Sequence, residues 1–234
     1  MSTPLSKLVA ALTLLTTGTL ANSAIRPSVV ELFTSQGCSS CPPAEKIAGE
    51  LARRPELLVL TYHVTYWDDL GWRDRFGLPE ATQRQQAYST ALQSRSVYTP
   101  QVMIEGTRGV IGSNRGAIEH ALQGVRTGIP IGLNVREGSV SIELPAQEHA
   151  QTADVVLVTY LRSAVSPIGR GENAGRTIQE SNIVRSFRSL GTWSGSAKDW
   201  QVPRSSLPSD ATDVAVLVQE RGQRTMLAAT HRAL

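Results

Sequence analysis

Two cysteines, Cys38 and Cys41, stand three residues apart, and the 234-residue chain holds no others. The run before them, Ser28-Val29-Val30-Glu31-Leu32-Phe33-Thr34, is apolar, β-branched and aromatic, which is the pattern of a buried strand. After them Ala44, Ile47, Ala48 and Leu51 recur at helical spacing and predict an amphipathic helix over 43–53. A disulfide-held secreted scaffold needs more cysteines than this, so that class is excluded. Any intramolecular disulfide must be Cys38–Cys41. A closed zinc site would need two further ligands from His63, His120, His149 and His231, none of which stand at metal-ligand spacing, so no metal is expected.

Placed where a strand gives way to a helix, the first sulfur lies near unpaired backbone N–H groups at the positive end of the helix dipole. That setting lowers a thiol's pKa, so Cys38 can attack a disulfide as thiolate while Cys41 resolves the mixed disulfide. The competing reading is a fixed structural disulfide or a pair of buried thiols. A bridge between such near neighbours constrains the unfolded chain little, so redox chemistry is the better account. Ser39 and Ser40 add hydroxyls and no charge, which leaves the redox direction open. Pro42-Pro43 follows at once and neither can donate an N–H, so the helix either begins irregularly or starts at about Pro42 with Cys38 in the turn before it.

Residues 1–24 read as a secretory signal peptide: Lys7, an apolar-to-small run from Leu8 to Leu20, then Ala21, Ser23 and Ala24. The run is shorter than the ~20 residues that span a bilayer, so no membrane span is expected once the leader is removed. The chain is expected to be secreted or periplasmic, where a disulfide can persist. Net charge is +3, and the 11 basic and 10 acidic residues of 25–128 recur as the same counts over 129–234. Neither half carries a basic stripe, so no nucleic-acid partner is expected.

Further along, Leu57 to Tyr66 reads as a strand, 80–94 as a helix, and 97–105 as a strand entered through Pro100. Val110-Ile111 completes a hairpin, and Ser113-Asn114 caps a last helix. The order β-α-β-α-β-β-α predicts an α/β mixed sheet over 25–128. From 129 to 234 strand runs at Ile131–Leu144, Val155–Leu161, Val214–Val218 and Met226–Thr230 predict a β-rich, sandwich-like second domain, with a Gly-, Ser- and Asn-rich stretch at 163–182.

Thr99-Pro100 opens what reads as a central strand, an unusual place for proline. Most such bonds are trans, but this position in the β-α-β-α-β order favours cis. A cis bond there sets backbone opposite the cysteines, free to pair with an incoming extended peptide. The strand-CxxC-helix unit with Thr99-Pro100 resembles the thioredoxin superfamily. Longer runs narrow the likeness: Val30 to Ala44, His63-Val64-Thr65-Tyr66-Trp67-Asp68, Leu70-Gly71-Trp72, Val97-Tyr98-Thr99-Pro100-Gln101 and Asn173-Ala174-Gly175-Arg176. Together they look like secreted thioredoxin-like proteins catalogued as a domain of unknown function, from about residue 28 to the end. The resemblance implies a thioredoxin-like fold, Cys38 as attacking and Cys41 as resolving thiol, and Pro100 cis. It supplies no substrate. An aromatic directly before the CxxC is missing; Gln36-Gly37 stands there.

The loop Trp67-Asp68-Asp69-Leu70-Gly71-Trp72 follows the second strand at the end where open α/β sheets bind ligands. Trp67 and Trp72 are therefore candidates for substrate contact, with Thr99, and packing anchors are the competing reading. Asp68 or Asp69 could carry protons for Cys41. His63 lies in strand texture and reads as a core histidine; with Cys38 and Cys41 it could instead form a Cu(I) site. Asn173-Ala174-Gly175-Arg176 lacks a P-loop lysine and reads as a structured loop with Arg176 paired to an acidic residue. The leading expectation is an exported thiol–disulfide oxidoreductase acting on protein or peptide thiols and disulfides with a redox partner, and needing no cofactor. A Cu(I) metallochaperone and a non-catalytic secreted binding module are the alternatives.

Overall fold

Seven residues of unbroken burial, β2 (Ser28–Thr34), mark the axis of the fold. The computed structural model describes residues 23–94, 96–148 and 150–234; all but the last two residues of the expected leader lie outside them, as does His149. After β1 (Ala24–Ile25) and β2 come α1 (Pro42–Leu51), β3 (Leu57–His63), α2 (Pro79–Ala91), β4 (Gln101–Ile104), β5 (Arg108–Ile111) and α3 (Arg115–Ala121). The chain continues through β6 (Thr127–Gly128), β7 (Gly132–Val135), β8 (Ser139–Leu144), β9 (Ala153–Pro167), β10 (Thr177–Trp193), β11 (Lys198–Pro203), β12 (Asp213–Glu220) and β13 (Met226–Ala233). This is a mixed α/β fold with a large, mostly β sheet and three α-helices among the described residues.

The order expected for 25–128 is present, with α3 capped by Asn114, whose side chain accepts from the Ala117 N–H at 3.0 Å. β3 stops at His63, three residues short of the expected end. β2 and β3 pair in parallel, and β4 and β5 follow antiparallel on the other side of β2. Side chains alternate between faces, as a pleated strand requires. Val29, Phe33, Leu58, Leu60 and Tyr62 pack on one face with Ala81 and Tyr88 of α2. Val30, Leu32, Leu57 and Val59 pack on the other with Ala44, Ile47, Ala48 and Leu51 of α1 and Ile118 of α3. A sheet covered on both sides explains why β2 and β3 read as continuous apolar runs.

The second half of the chain joins the same sheet. Its order is β13-β12-β9-β10-β3-β2-β4-β5, so strands from both halves are hydrogen-bonded into one eight-stranded layer. The junction is β10 on β3, parallel, with Ile183 opposite Thr61. The Thr61 hydroxyl donates to the Ser181 carbonyl at 2.7 Å and the Asn182 amide to the Val59 carbonyl at 2.9 Å. Gly49 permits α1 to lie against this seam, since a Cβ there would stand 3.0 Å from the Ser181 hydroxyl. Two-layer β packing does occur in the second half: β11, β8 and β7 form a three-stranded sheet whose Leu133, Val140, Ile142 and Leu144 pack on Val155, Leu157, Val214, Val216 and Val218.

The stretch 163–182 is not a loop throughout. Its ends are the outer halves of β9 and β10, paired from Thr177–Pro167 inward, and only 168–176 connects them. β10 escapes a periodicity search because it is polar and carries register shifts between Val184 and Ser186 and between Ser189 and Gly191, which break the alternation.

Candidate functional site

The chain leaves β2 at Thr34 and makes two tight turns before α1. The Cys38 N–H donates to the Ser35 carbonyl and the Cys41 N–H to the Cys38 carbonyl, each at 3.1 Å. Proline costs nothing at the start of a helix, where N–H groups lack partners anyway, so α1 begins at Pro42 and Cys41 takes the N-cap position. The Ala44 and Glu45 N–H groups close the first helical bonds onto the Cys41 carbonyl. Cys38 thus stands in the turn before the helix rather than on its first turn, and the helix dipole acts on it from farther away than on Cys41.

Cys38 and Cys41 are disulfide-bonded, with Cα atoms 5.4 Å apart. Both are closed to solvent, at 0% and 1% exposure, while Ser39 and Ser40 between them are exposed. The Cys38 Sγ lies 3.4 Å from the Ser40 Oγ, and that hydroxyl is 3.5 Å from the Thr99 carbonyl. The Thr99–Pro100 bond is cis. Gly112 holds Pro100 close to α1: a Cβ there would stand 3.0 Å from the Pro100 Cβ and 3.1 Å from the Ala44 Cβ.

The two tryptophans have separate places. The Trp67 indole donates to the Thr99 hydroxyl at 2.9 Å, and its Cβ would be 3.3 Å from a Cβ on Gly37, so Trp67 spans from the CxxC turn to the cis-proline loop. The Trp72 indole instead donates to the Gln36 side chain at 3.0 Å; its ring lies against Gly169, and Gly171 lies against its Cβ.

Behind the CxxC turn, joined to it at Gln36, lies a buried polar cluster of which only His63 stood out in the sequence. The Gln36 N–H donates to Asp74 at 2.7 Å, and its amide donates to Ser166 at 3.0 Å and Glu180 at 2.8 Å. His63 Nδ1 is 2.8 Å from the same Asp74 oxygen, and its Nε2 is 3.9 Å from Glu180. Burial alone would lower the His63 imidazolium, but the charge and hydrogen bond of Asp74, with Glu45 and Glu180 nearby, hold it up at about 9. Burial raises the Glu45 carboxyl of α1 to about 7, against the opposing pull of His63. Burial pushes Asp74 up too, yet His63 and the Gln36 and Phe76 N–H groups more than offset it and leave it below the usual carboxylate range. Thr34 Oγ1, Glu45 Oε2 and His63 Nε2 have no hydrogen-bond partner among the described residues.

Several expectations are corrected here. The carboxylate that reaches the site is Asp74; Asp68 supports it by accepting the Asp74 N–H at 3.1 Å, and Asp69 is exposed. His63 does sit in the core, with Nδ1 2.8 Å from Asp74 and Nε2 3.9 Å from Glu180. Arg176 donates to Asn173 at 3.1 Å instead of pairing with an acid. Asn173 is itself fully buried and donates to the Gln36 carbonyl at 2.9 Å and the Cys38 carbonyl at 2.8 Å. Its signal was the Asn-Ala-Gly-Arg run. Glu180 and Ser166 left no signal, because they come from the polar ends of β9 and β10.

Fold and site together define a mixed α/β protein with an internal CxxC disulfide set against a cis-proline loop and a buried acid–histidine cluster. The chain belongs to the family described as Protein of unknown function (DUF1223), which matches residues 29–219. Among solved structures it is similar to the X-ray crystal structure of Protein AGR_C_4864 from Agrobacterium tumefaciens, at 30% sequence identity and a TM-score of 0.73 over 89% of this chain and 94% of that one. Among curated proteins none matches.

Proposed function

We propose that the chain is an exported thiol–disulfide oxidoreductase of thioredoxin-like design that exchanges disulfides with protein or peptide substrates in a secreted or periplasmic setting. The observation that carries this reading is the Cys38–Cys41 bond at the head of α1, with the cis Thr99–Pro100 backbone within reach of Ser40. In the oxidising direction a substrate thiolate attacks Cys38 Sγ, and the electron pair of the broken S–S bond goes to Cys41 Sγ, which takes up a proton. A second substrate thiolate then displaces Cys38, leaving a substrate disulfide and two protein thiols. The reverse sequence reduces a substrate disulfide. Thr99 and Trp67 form the wall along which an extended segment would lie, and Pro100 fixes that wall opposite the sulfurs. A buried disulfide between near neighbours contributes little to stability, which favours chemistry over scaffolding.

The test is turnover of a protein disulfide such as that of insulin, together with the pH dependence of Cys38 alkylation in the reduced protein. Turnover lost in Cys38→Ser, and alkylation with a midpoint well below ~8.5, are expected. Absence of turnover with an unperturbed Cys38 would overturn the reading, as would full biological function in the Cys38→Ser, Cys41→Ser double variant. A reduction potential near ~−120 mV would assign an oxidant and one near ~−270 mV a reductant.

A further inference from the structure

The connection from β9 to β10, residues 168–176, crosses the CxxC turn as a strap. Three hydrogen bonds tie it down. The Asn173 side-chain amide donates to the carbonyls of Gln36 and Cys38, and the Ser39 N–H donates to Glu172 at 3.2 Å. Asn173 is held in turn by Arg176, and the strap closes on itself through the Gly175 N–H to the Ile168 carbonyl at 2.8 Å. Gly169 and Gly171 rest on Trp72; a Cβ on Gly171 would stand 3.0 Å from the Trp72 Cβ. Most of the strap is nevertheless exposed: of 168–176 only Ile168 and Asn173 are buried. A segment with so few apolar anchors is held by its polar ties, and such segments are the ones that open locally.

Closure conflicts with chemistry. Sulfur exchange needs an incoming sulfur to reach a disulfide sulfur along the bond axis, yet Cys38 presents no surface to solvent. Two features could give way: the Trp67–Thr99 wall on one side or the strap on the other. The wall is anchored by an indole hydrogen bond within the sheet end, whereas the strap binds the backbone of Gln36, Cys38 and Ser39 directly. Release of Asn173 therefore frees the very turn that carries Cys38.

We propose that the 168–176 strap is a gate on Cys38, and that the disulfide reacts only from an open form in which Asn173 has left the carbonyls of Gln36 and Cys38. The proposal rests on the redox reading as regulation of that same site. The closed form is favoured because opening takes the Asn173 donor from both carbonyls, of which that of Cys38 keeps the Cys41 N–H, until water or a substrate N–H replaces it.

The experiment follows reduction of the full oxidised chain by dithiothreitol, quenched by alkylation at a series of times. One dithiothreitol thiolate attacks Cys38 Sγ and the bond breaks with its electron pair on Cys41 Sγ, which is protonated. The second thiolate displaces Cys38, giving two protein thiols and cyclic dithiothreitol disulfide. Asn173→Ala should speed reduction about tenfold or more, from the loss of two buried hydrogen bonds. Glu172→Ala, at an exposed residue whose loss leaves the core intact, should speed it a few-fold. Rates equal to wild type in folded Glu172→Ala and Asn173→Ala protein would overturn the gate, and so would acceleration by Trp67→Ala without acceleration by either strap variant. Should Asn173→Ala fail to fold, Glu172→Ala decides alone. Since dithiothreitol replaces any protein substrate, absence of insulin turnover with accelerated strap variants removes the functional reading and leaves the gate. Intact turnover with unchanged rates does the reverse.

Discussion

Two buried charge clusters lie on opposite faces of the same sheet, and they differ in how completely they are paired. On the α2 face Glu31 of β2 is gripped by Arg84, with Nε to Oε1 at 2.7 Å and Nη2 to Oε2 at 3.1 Å, and it also accepts from the Tyr88 hydroxyl. Arg84 bonds Gln219 at 3.0 Å as well, and its charge is stacked on Phe187 and Tyr88. On the α1 face Glu45, His63, Asp74 and Glu180 lie together behind the CxxC turn, and three polar atoms there have no hydrogen-bond partner among the described residues. The first cluster is one acid matched by one base, with the Tyr62 hydroxyl beside them as its unpartnered atom among the described residues. The second sets three carboxyls against one imidazole. A paired cluster fixes a structure, whereas an underpaired one holds groups whose protonation changes with pH.

The sharpest way to break this comparison is Arg84→Met. It leaves Glu31 buried without its counter-charge, and a loss of about 3–5 kcal/mol in unfolding free energy is expected, read by denaturant titration. Where the variant still folds, its dithiothreitol reduction rate should match wild type, because nothing in this cluster touches the CxxC. A loss below ~1 kcal/mol would mean that the two clusters are not different in kind.

Next in size is the pH dependence written by the other cluster. Folded Glu45 keeps its proton to about 7, while the unfolded chain releases it near 4.5, so stability present below that lower value is lost as pH rises to 7. Folded His63 keeps its proton to about 9 against 6.5 unfolded, so a second loss spans that interval. Asp74 has the opposite sign: its depressed pKa supplies stability that disappears as the solution is acidified below its ordinary range near 3.8. Glu45→Gln should flatten the decline between pH 4.5 and 7 and shrink without abolishing the one above it, since Glu45 also helps to hold up His63, checked by denaturant midpoints across pH. An unchanged slope would remove Glu45 from the cluster's proton balance.

The smallest effect concerns the wall. Thr99→Val takes away the acceptor of the Trp67 indole and should cost about 1 kcal/mol, with thermal unfolding as the measure. It should leave the pH profile unaltered, since Thr99 stands outside the acid–histidine cluster.

What could be read in advance follows from range along the chain. β2, α1 and the CxxC were legible because apolar periodicity and the motif are properties of one short window. The proline at residue 100 was legible because its place in the element order was. Gln36 was noticed only for the aromatic it replaces, though it is the hub that joins Asp74, Ser166, Glu180 and Trp72. Glu180 and Asn173 stand more than 130 residues beyond the turn they contact, and no local pattern links them to it. The change of texture at residues 128–129 marks where the helices end, while the sheet runs on through β10.

Placement of β10 beside β3 also fixes an order of events. A chain made from its N-terminus presents Cys38 and Cys41 well before Ser166, Asn173 and Glu180 exist. Over that interval the CxxC turn lacks the side chains that later bond it at Gln36 and Cys38. The packing that closes both sulfurs to solvent is therefore completed late in synthesis, by residues far along the chain from the motif.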